Sequence, residues 1–581
     1  MWFNSWLRNK TRSSLPSRGR TKPHFRPCLE GLETRQLLST FTVVLPTDNF
    51  PSSGGEAVSD TSGDLRYCIA LANAAPAGDA DTINFDPTLF AAPQTIALGA
   101  TLTLSDSNPL TIQGPTGNTA TLSGGDAIQV LDVASGVVSI SDLTISHGNA
   151  SGTGALGDGG GILNSGDLTL TGCILDHDVA ARFGGGISNS GALTLTNCTL
   201  DHDVAASSGG GLVNLAGSAT LNGCVLTHDS AIDGGGIIAV ADLTLKGCEF
   251  SNDSASGVGG GGLWIDGCCN AMVKDTTFSN DTTDEDGGGV FIVTPAPPAT
   301  FVNCTFSNDF ALNGGGGLCT DGAVTVNMTG CNISNDTAAI GGGVCNVGST
   351  VALTQCTLSD DSAFPGTGGG GGLSSSGTST VTACTFSNDS APFGGGMDNA
   401  GQATLTNCTF SSNRTTLNPS FGGGGIYNSP YAGVPSTISL TNCTLANNSA
   451  GPGFGGGIWN AAGCTLHLTN TIVAQNTAAS GPDVLGSINT ADHNLIGEGG
   501  GSTILTDLGG NLIGGNGNPV IDPRLGPLQD NGGHTQTLAL YADSPTIGHG
   551  DNAKAPATDQ RGHKRIDQVG EVTDIGAYEY P

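Results

Sequence analysis

Runs of glycine that end in one aliphatic residue punctuate the chain every 24 to 32 residues, placing Ile162, Ile187, Leu212, Ile237, Leu263, Val290, Leu318, Val344, Leu373, Met397, Ile426 and Ile458 in one phase. After each run, apolar and polar residues alternate, as in 192–200 (ALTLTNCTL), 402–410 (QATLTNCTF) and 437–445 (TISLTNCTL). Alternation with period two is the pattern of a half-buried strand. A third short segment, as in 387–391 (SNDSA), completes the unit. Three extended segments in about 27 residues, broken by Gly and Asn and without helical periodicity, predict one turn of a parallel β-helix. The unit is too short for a propeller blade of about 40–45 residues and lacks the leucine-rich consensus. An open solenoid needs caps at its ends. Leu65, Cys68, Ile69 and Ala72, spaced i, i+3, i+4 and i+7 with Ser62 as N-cap, predict a short amphipathic helix over the first turn. The expected organisation is a leader at 1–40, an N-terminal cap at 41–95, repeats at 96–484 with register from about Thr95 to about Asp483, and a distinct region at 485–581.

Composition narrows the class. Ninety-four of 581 residues are Gly, too few and too irregular for collagen, while the recurring Ile, Leu and Val exclude a disordered acidic chain. Residues 1 to 36 hold eight of the 18 Lys and Arg but two of the 50 Asp and Glu, so the leader carries +6 and the rest −38. A body that acidic repels phosphate backbones and anionic lipid, which argues against nucleic acid as a partner and in favour of divalent cations. With no apolar run of about 18 residues, no transmembrane helix is expected.

Three segments carry a family resemblance. Residues 26–39 (RPCLEGLETRQLLS) resemble the export leader of planctomycete secreted proteins, which implies a secreted or cell-surface protein. Residues 63–85 (GDLRYCIALANAAPAGDADTINF) resemble the CSLREAI segment that precedes many right-handed β-helices, and the repeats resemble those of polymorphic outer-membrane proteins. Residues 525–548, 558–562 (TDQRG) and 574–580 (DIGAYEY) are similar to the choice-of-anchor Q domain. The resemblance implies an all-β, right-handed parallel β-helix of the pectin-lyase-like kind, exported, and a surface protein more than a defined reaction.

Cys173, Cys198, Cys224, Cys248, Cys304, Cys331, Cys356, Cys384, Cys408 and Cys443 share one repeat phase. Equivalent Cβ atoms on stacked strands lie about 4.8 Å apart, beyond the mean of about 3.8 Å for a disulfide, so these read as small buried hydrophobes. Cys319 with Cys345, and the vicinal Cys268 and Cys269, are the better oxidisable pairs. Asp178, Asp203, Asp229, Asp253, Asp281, Asp309, Asp336, Asp361 and Asp389 recur on successive turns, followed by Asn413, Asn448 and Asn476. At about 4.8 Å, each ionised pair costs about 0.9 kcal/mol in water and about 3.5 kcal/mol at an effective dielectric of 20. Either hydration with hydrogen bonds to turn amides relieves this, or bound Ca²⁺ does. His147, His177, His202 and His228 share another phase and give way to Asn252, Asn280, Asn308 and Asn335. They serve either as a hydrogen-bonding ladder or as transition-metal or acid–base groups.

Many right-handed β-helices are polysaccharide lyases or hydrolases, and lyases of this fold use Arg or Lys. Between Ile145 and Pro519 the basic residues are Arg182, Lys246, Lys274 and Arg414 alone. Glycoside hydrolysis needs two carboxylates about 5–9.5 Å apart, for which Asp176, Asp178, Asp201 and Asp203 are candidates, but they look like their neighbours on every turn. The residue after each glycine-run aliphatic is expected to face solvent; there stand Trp264, Phe291, Tyr427 and Trp459. Outward rings can stack on sugar faces or cover one another as an aromatic ladder. The function expected from the sequence is a non-catalytic, adhesin-like surface or matrix protein that takes polysaccharide or cell-surface glycan on these rings, with a polysaccharide hydrolase or lyase as the alternative.

Overall fold

The computed structural model describes residues 39–581 apart from positions 51, 76–79, 107, 268–269, 294–296, 365–367, 416–419, 421 and 566–569. Each turn from Asn149 to Ser480 contributes to four parallel sheets, and the turns beyond them to three. In one turn, sheet I takes Ile187–Asn189, sheet II Ala192–Thr196, sheet III Thr199–Asp201 and sheet IV Val204–Ala205. The sequence expectation of three segments falls short by one. Asn197, at φ 50°, breaks the long alternating segment into two strands that enter different sheets. The corner shifts the alternation by one position, with Leu193 and Leu195 facing inward before it and Cys198 and Leu200 after it.

Register follows the glycine phase. Ile187 pairs with Ile162 on one side and Leu212 on the other, and the ladder continues through Ile237, Leu263 and Val290 to Ile458 and Val484. Leu193 and Leu195 stack on Leu168 and Leu170 in the interior. Phe250, Phe278 and Phe306 stack at centroid distances of 4.8 and 5.2 Å, and Phe386 and Phe410 at 4.4 Å. These aliphatic and aromatic ladders make one continuous core.

The stack is longer than the expected repeat region. Ser39–Val43 pairs with Asp81–Phe85, which pairs in turn with Leu110–Gln113, and at the other end Leu495–Ile496 pairs with Leu512–Ile513. Between the first two strands lies α1 (Leu65–Asn73), with Leu65, Cys68, Ile69 and Ala72 buried as its spacing predicts. Its N-cap is Asp64, not Ser62: the Asp64 carboxylate accepts from Tyr67 N, and Ser62 belongs to a two-residue strand. Among the described residues no helix is long and apolar enough to cross a membrane.

The C-terminal segment returns along the flank of the solenoid. Thr385 Oγ1 donates to Gln536 O, Asn407 Nδ2 to Thr558 O, and Ala577 N to Thr444 Oγ1. Gln560 and Arg565, both buried, hydrogen-bond Cys384 O and Asn407 Oδ1. The DQRG and DIGAYEY segments supply this interface: Asp559 pairs with Arg561 at 2.7 Å, Glu579 with Arg565 at 2.8 Å, and the Arg561 guanidinium sits 3.6 Å from the Tyr578 ring centroid.

Candidate functional site

The corner between sheets III and IV carries two of the predicted ladders. Its first residue is left-handed, with φ between 51° and 58° at His147, His177, His202 and His228, and near 60° at Asn252, Asn280, Asn308 and Asn335. Asn and His tolerate that conformation better than most side chains, which is why this phase alternates between them. The next residue is the ladder aspartate. All nine from Asp178 to Asp389 are within 1% of complete burial. Oδ1 of each accepts the backbone N–H of the equivalent residue one turn earlier, as in Asp178 N to Asp203 Oδ1 at 2.8 Å and Asp281 N to Asp309 Oδ1 at 2.9 Å. Oδ2 of each is buried and accepts no hydrogen bond.

The turns above show what belongs there. Asn413, Asn448 and Asn476 keep the Oδ1 bond and donate Nδ2 to Phe386 O, Phe410 O and Leu445 O. The third glycine of each run backs the same spot: a Cβ on Gly186 would lie 2.4 Å from Asp203 Oδ2, and one on Gly457 2.8 Å from Asn476 Nδ2. Burial, reinforced by neighbouring ladder carboxyls, holds these aspartates well above the usual carboxylate range. A neutral acid carries a hydroxyl that can donate as the amide does.

The calcium expectation does not fit this geometry. Calcium takes six to eight oxygens at about 2.3–2.6 Å. Each turn offers one free oxygen, pressed against a glycine Cα and sealed from water. The hydrogen bonds to backbone amides expected with hydration are present at each Oδ1, but hydration itself does not fit, because the ladder faces inward. For the same reason Asp178 and Asp203 cannot join Asp176 and Asp201 as catalytic pairs: the first two are buried, while the other two stand at the surface.

The repeating cysteines occupy the corner between sheets II and III, buried, with Sγ directed to carbonyls of its own turn and the turn before, as Cys304 to Val302 O and Val273 O. Thr276 and Thr471 take that place on two turns and donate to the same carbonyl position, Lys274 O and Thr469 O. Cys319 and Cys345 are Cα partners in sheet I and share a small cluster with Phe291. Cys268 and Cys269 lie outside the described residues, as do residues 1–38 of the leader, whose last two positions begin the strand Ser39–Val43.

The aromatic positions are placed as adjacent-turn pairs, Trp264 with Phe291 and Tyr427 with Trp459, but they do not all face solvent. Phe291 is 2% exposed, and the buried Trp264 Nε1 has no partner. The residue before each glycine run forms its own bridged ladder, through Gly259 and Asp286 and through Phe393, Gly422 and Phe454, and overhangs the outer face of sheet I. A Cβ on Gly259 would meet the Phe291 ring at 2.9 Å. Tyr427 and Trp459 remain half-buried, at a centroid distance of 4.6 Å, with Phe393 against Tyr427 at 5.2 Å and Phe454 against Trp459 at 5.4 Å.

Beside that cluster the outer face of sheet I opens into a cavity of about 280 Å³ lined by Cys345, Asn346, Ser374, Ser375, Asp398, Ser429 and Tyr431. Asp398 stands where its neighbours in register carry Ser374 and Tyr427, so it is an acid on this face that the repeat does not supply. Ser429 Oγ donates to its Oδ1 at 3.0 Å, while loss of water pushes its carboxyl up to about 7. Residues 429–436 widen the link between Asn428 and Thr437 and bring exposed Tyr431 to the rim. Recurrence along the sequence does not point to Asp398; from Leu163 to Trp459 the other turns fill this register position with aliphatic, hydroxyl, thiol and aromatic side chains, and the other acid in the position, Asp132, stands on an early turn far along the stack. A larger concavity of about 650 Å³ lies in the C-terminal segment, but its arginines are committed to Asp559 and Glu579.

This architecture is that of a right-handed parallel β-helix protein. The family described as right handed beta helix region matches residues 261–496. The chain is similar to pectate lyase Pel9A, with 12% identity over 94% of this chain and 98% of that chain and a TM-score of 0.28. It is also similar to a mannuronic acid specific polysaccharide family 6 lyase from human gut microbiota, with 12% identity over 81% and 91% and a TM-score of 0.26. No curated protein matches the chain.

Proposed function

We propose that this is an exported, non-catalytic β-helix protein that binds neutral or weakly acidic polysaccharide or cell-surface glycan along sheet I, where the Asp398 cavity adjoins the Tyr427–Trp459 pair. The observation that carries this is the composition of the cleft: serine hydroxyls and the Asp398 carboxyl to meet sugar hydroxyls, half-exposed rings beside them to meet apolar sugar faces, and no cationic side chain among its described lining residues. The acidic body would repel a highly charged polyanion. Retention on polysaccharide columns should fall with Trp459→Ala and with Tyr431→Ala, and Trp264→Ala should not affect it. Retention unchanged by both rim substitutions would overturn the reading.

Asp398 favours a second reading, a polysaccharide-cleaving enzyme, since a carboxyl near 7 is suited to proton transfer near neutral pH. It is the one acid among the described lining residues, whereas hydrolysis uses two. Release of reducing or unsaturated sugar by the full chain, abolished by Asp398→Asn, would replace the binding reading with this one.

A further inference from the structure

We propose that Asp201, His202 and His228 form a surface site for a divalent transition metal such as Zn²⁺ or Cu²⁺. One donor atom from each lies within 4.8 Å of the other two. Asp201 Oδ1 is 2.5 Å from His202 Nδ1 and 3.5 Å from His228 Nδ1. Ligands about 2.0–2.1 Å from a tetrahedral metal sit about 3.3 Å from one another, a distance that the two carboxylate–imidazole separations bracket, and rotation of the exposed rings would turn both nitrogens toward one ion. Two imidazoles and one carboxylate suit Zn²⁺ and Cu²⁺, and water can complete the sphere, because the side chains are 47% and 49% exposed for the histidines and 33% for Asp201.

Left-handed geometry explains why histidine is allowed at this corner, but not the acid beside it. The strand-end position holds Asp176 and Asp201 on two turns, each directly before a corner histidine. Once the corner changes to Asn252, Asn280, Asn308 and Asn335, the strand end becomes Ser251, Ser279, Ser307 and Ser334. On those turns neither group remains, and because Thr227 precedes His228, Asp201 is the carboxylate that both His202 and His228 face. The rings of His177, His202 and His228 stack in order, at 4.8 and 4.6 Å, so the site is held by adjacent turns of a rigid sheet. Without metal, His202 Nδ1 is satisfied by Asp201 and His228 Nδ1 lies 3.0 Å from Thr227 Oγ1; binding exchanges these hydrogen bonds for coordination. The other cluster of this kind among the described residues, Asp492, His493 and Asp551, differs because Lys554 Nζ already neutralises Asp492 at 2.8 Å.

Calorimetric titration of the full chain with Zn²⁺ tests the assignment, with Cu²⁺ paramagnetic resonance to count coordinated nitrogens. His202→Asn with His228→Asn should remove one equivalent of Zn²⁺ and the two-nitrogen signature. Asn fills this corner on later turns, so the variant keeps the fold, and unchanged melting would verify that. Asp201→Asn should weaken binding, and His493→Asn should leave it alone. Zinc uptake undiminished in the double variant, uptake lost instead in His493→Asn, or no uptake by the parent chain would each overturn the proposal.

Discussion

The nine turns that carry the ladder from Asp178 to Asp389 and the three that carry Asn413, Asn448 and Asn476 place nearly isosteric side chains in the same buried corner. Their first oxygen does the same work in both, accepting the amide of the turn before. They differ at the second atom. Each asparagine donates to a backbone carbonyl, while the aspartate oxygen in that place has nothing to accept from. The contrast teaches that formal charge counted from sequence overstates the charge of the body: the lower corner holds acids that burial drives toward the neutral form. Asp483, which ends the ladder, marks the other limit. Both its oxygens accept amide donors, from Asn476 and Glu498, and its carboxyl is raised only to about 6.

The largest effect should come from making the lower turns resemble the upper ones. An acid whose folded pKa is raised contributes fully below the unfolded value, near 3.9, and that contribution is lost as pH rises through the folded value. The protein should therefore unfold more easily in denaturant at pH 8 than at pH 5. Asp253→Asn, Asp281→Asn and Asp309→Asn together should stabilise it at pH 8 by about 4 kcal/mol or more and flatten the pH dependence, because each tenfold rise in a site's proton affinity on folding is worth about 1.4 kcal/mol. Destabilisation at pH 8 would mean that the carboxylates are ionised and coordinated.

Next in size is the glycine beneath the ladder. Gly186→Ala would bring a Cβ to 2.4 Å from Asp203 Oδ2 and 2.7 Å from Gly211 O, a clash expected to cost about 1–3 kcal/mol in thermal or denaturant melts. Gly425→Ala, whose nearest ladder atom is Asn448 Cγ at 3.3 Å, should cost less. Equal losses would show that backbone crowding alone sets the glycine.

The reverse exchange, Asn448→Asp, should lower stability at pH 8 by about 1.4 kcal/mol or more and have little effect at pH 4, read by the same melts. The smallest expected effect is none: melting curves of the parent chain in millimolar calcium and in chelator should coincide. A higher Tm in calcium would restore the cation to the ladder and break the comparison.

Repetition made much of this legible. The glycine-phase aliphatics, the inward leucines and the helix at 65–73 each repeat or follow a simple period, so the register of sheet I could be read from Ile162 to Ile458. Corners were harder, because there a residue's facing depends on φ and not on period. Asn197 looked like a strand residue yet splits a strand, and the ladder aspartates looked solvated yet turn inward. The overhang that buries Phe291 comes from the residue before the glycine run, a relation between neighbouring turns that no single segment reveals. Asp398 shares its register position with one distant acid, Asp132, and a pattern of recurrence passes over both.

The C-terminal clamp bears on the order of assembly. Successive turns bond to residues mostly 24 to 38 positions away, so turns can zip one onto the next. Gln560 reaches back 176 residues to Cys384 O, and Thr535 reaches 152 to Ala383 O. Its docking face exists only once several turns are stacked, so residues 535–580 can close only over a wound solenoid. The segment thereby acts as a seal on completed winding, and a chain with a misregistered turn near 383–474 would leave the buried Gln560 and Arg565 with nowhere to dock.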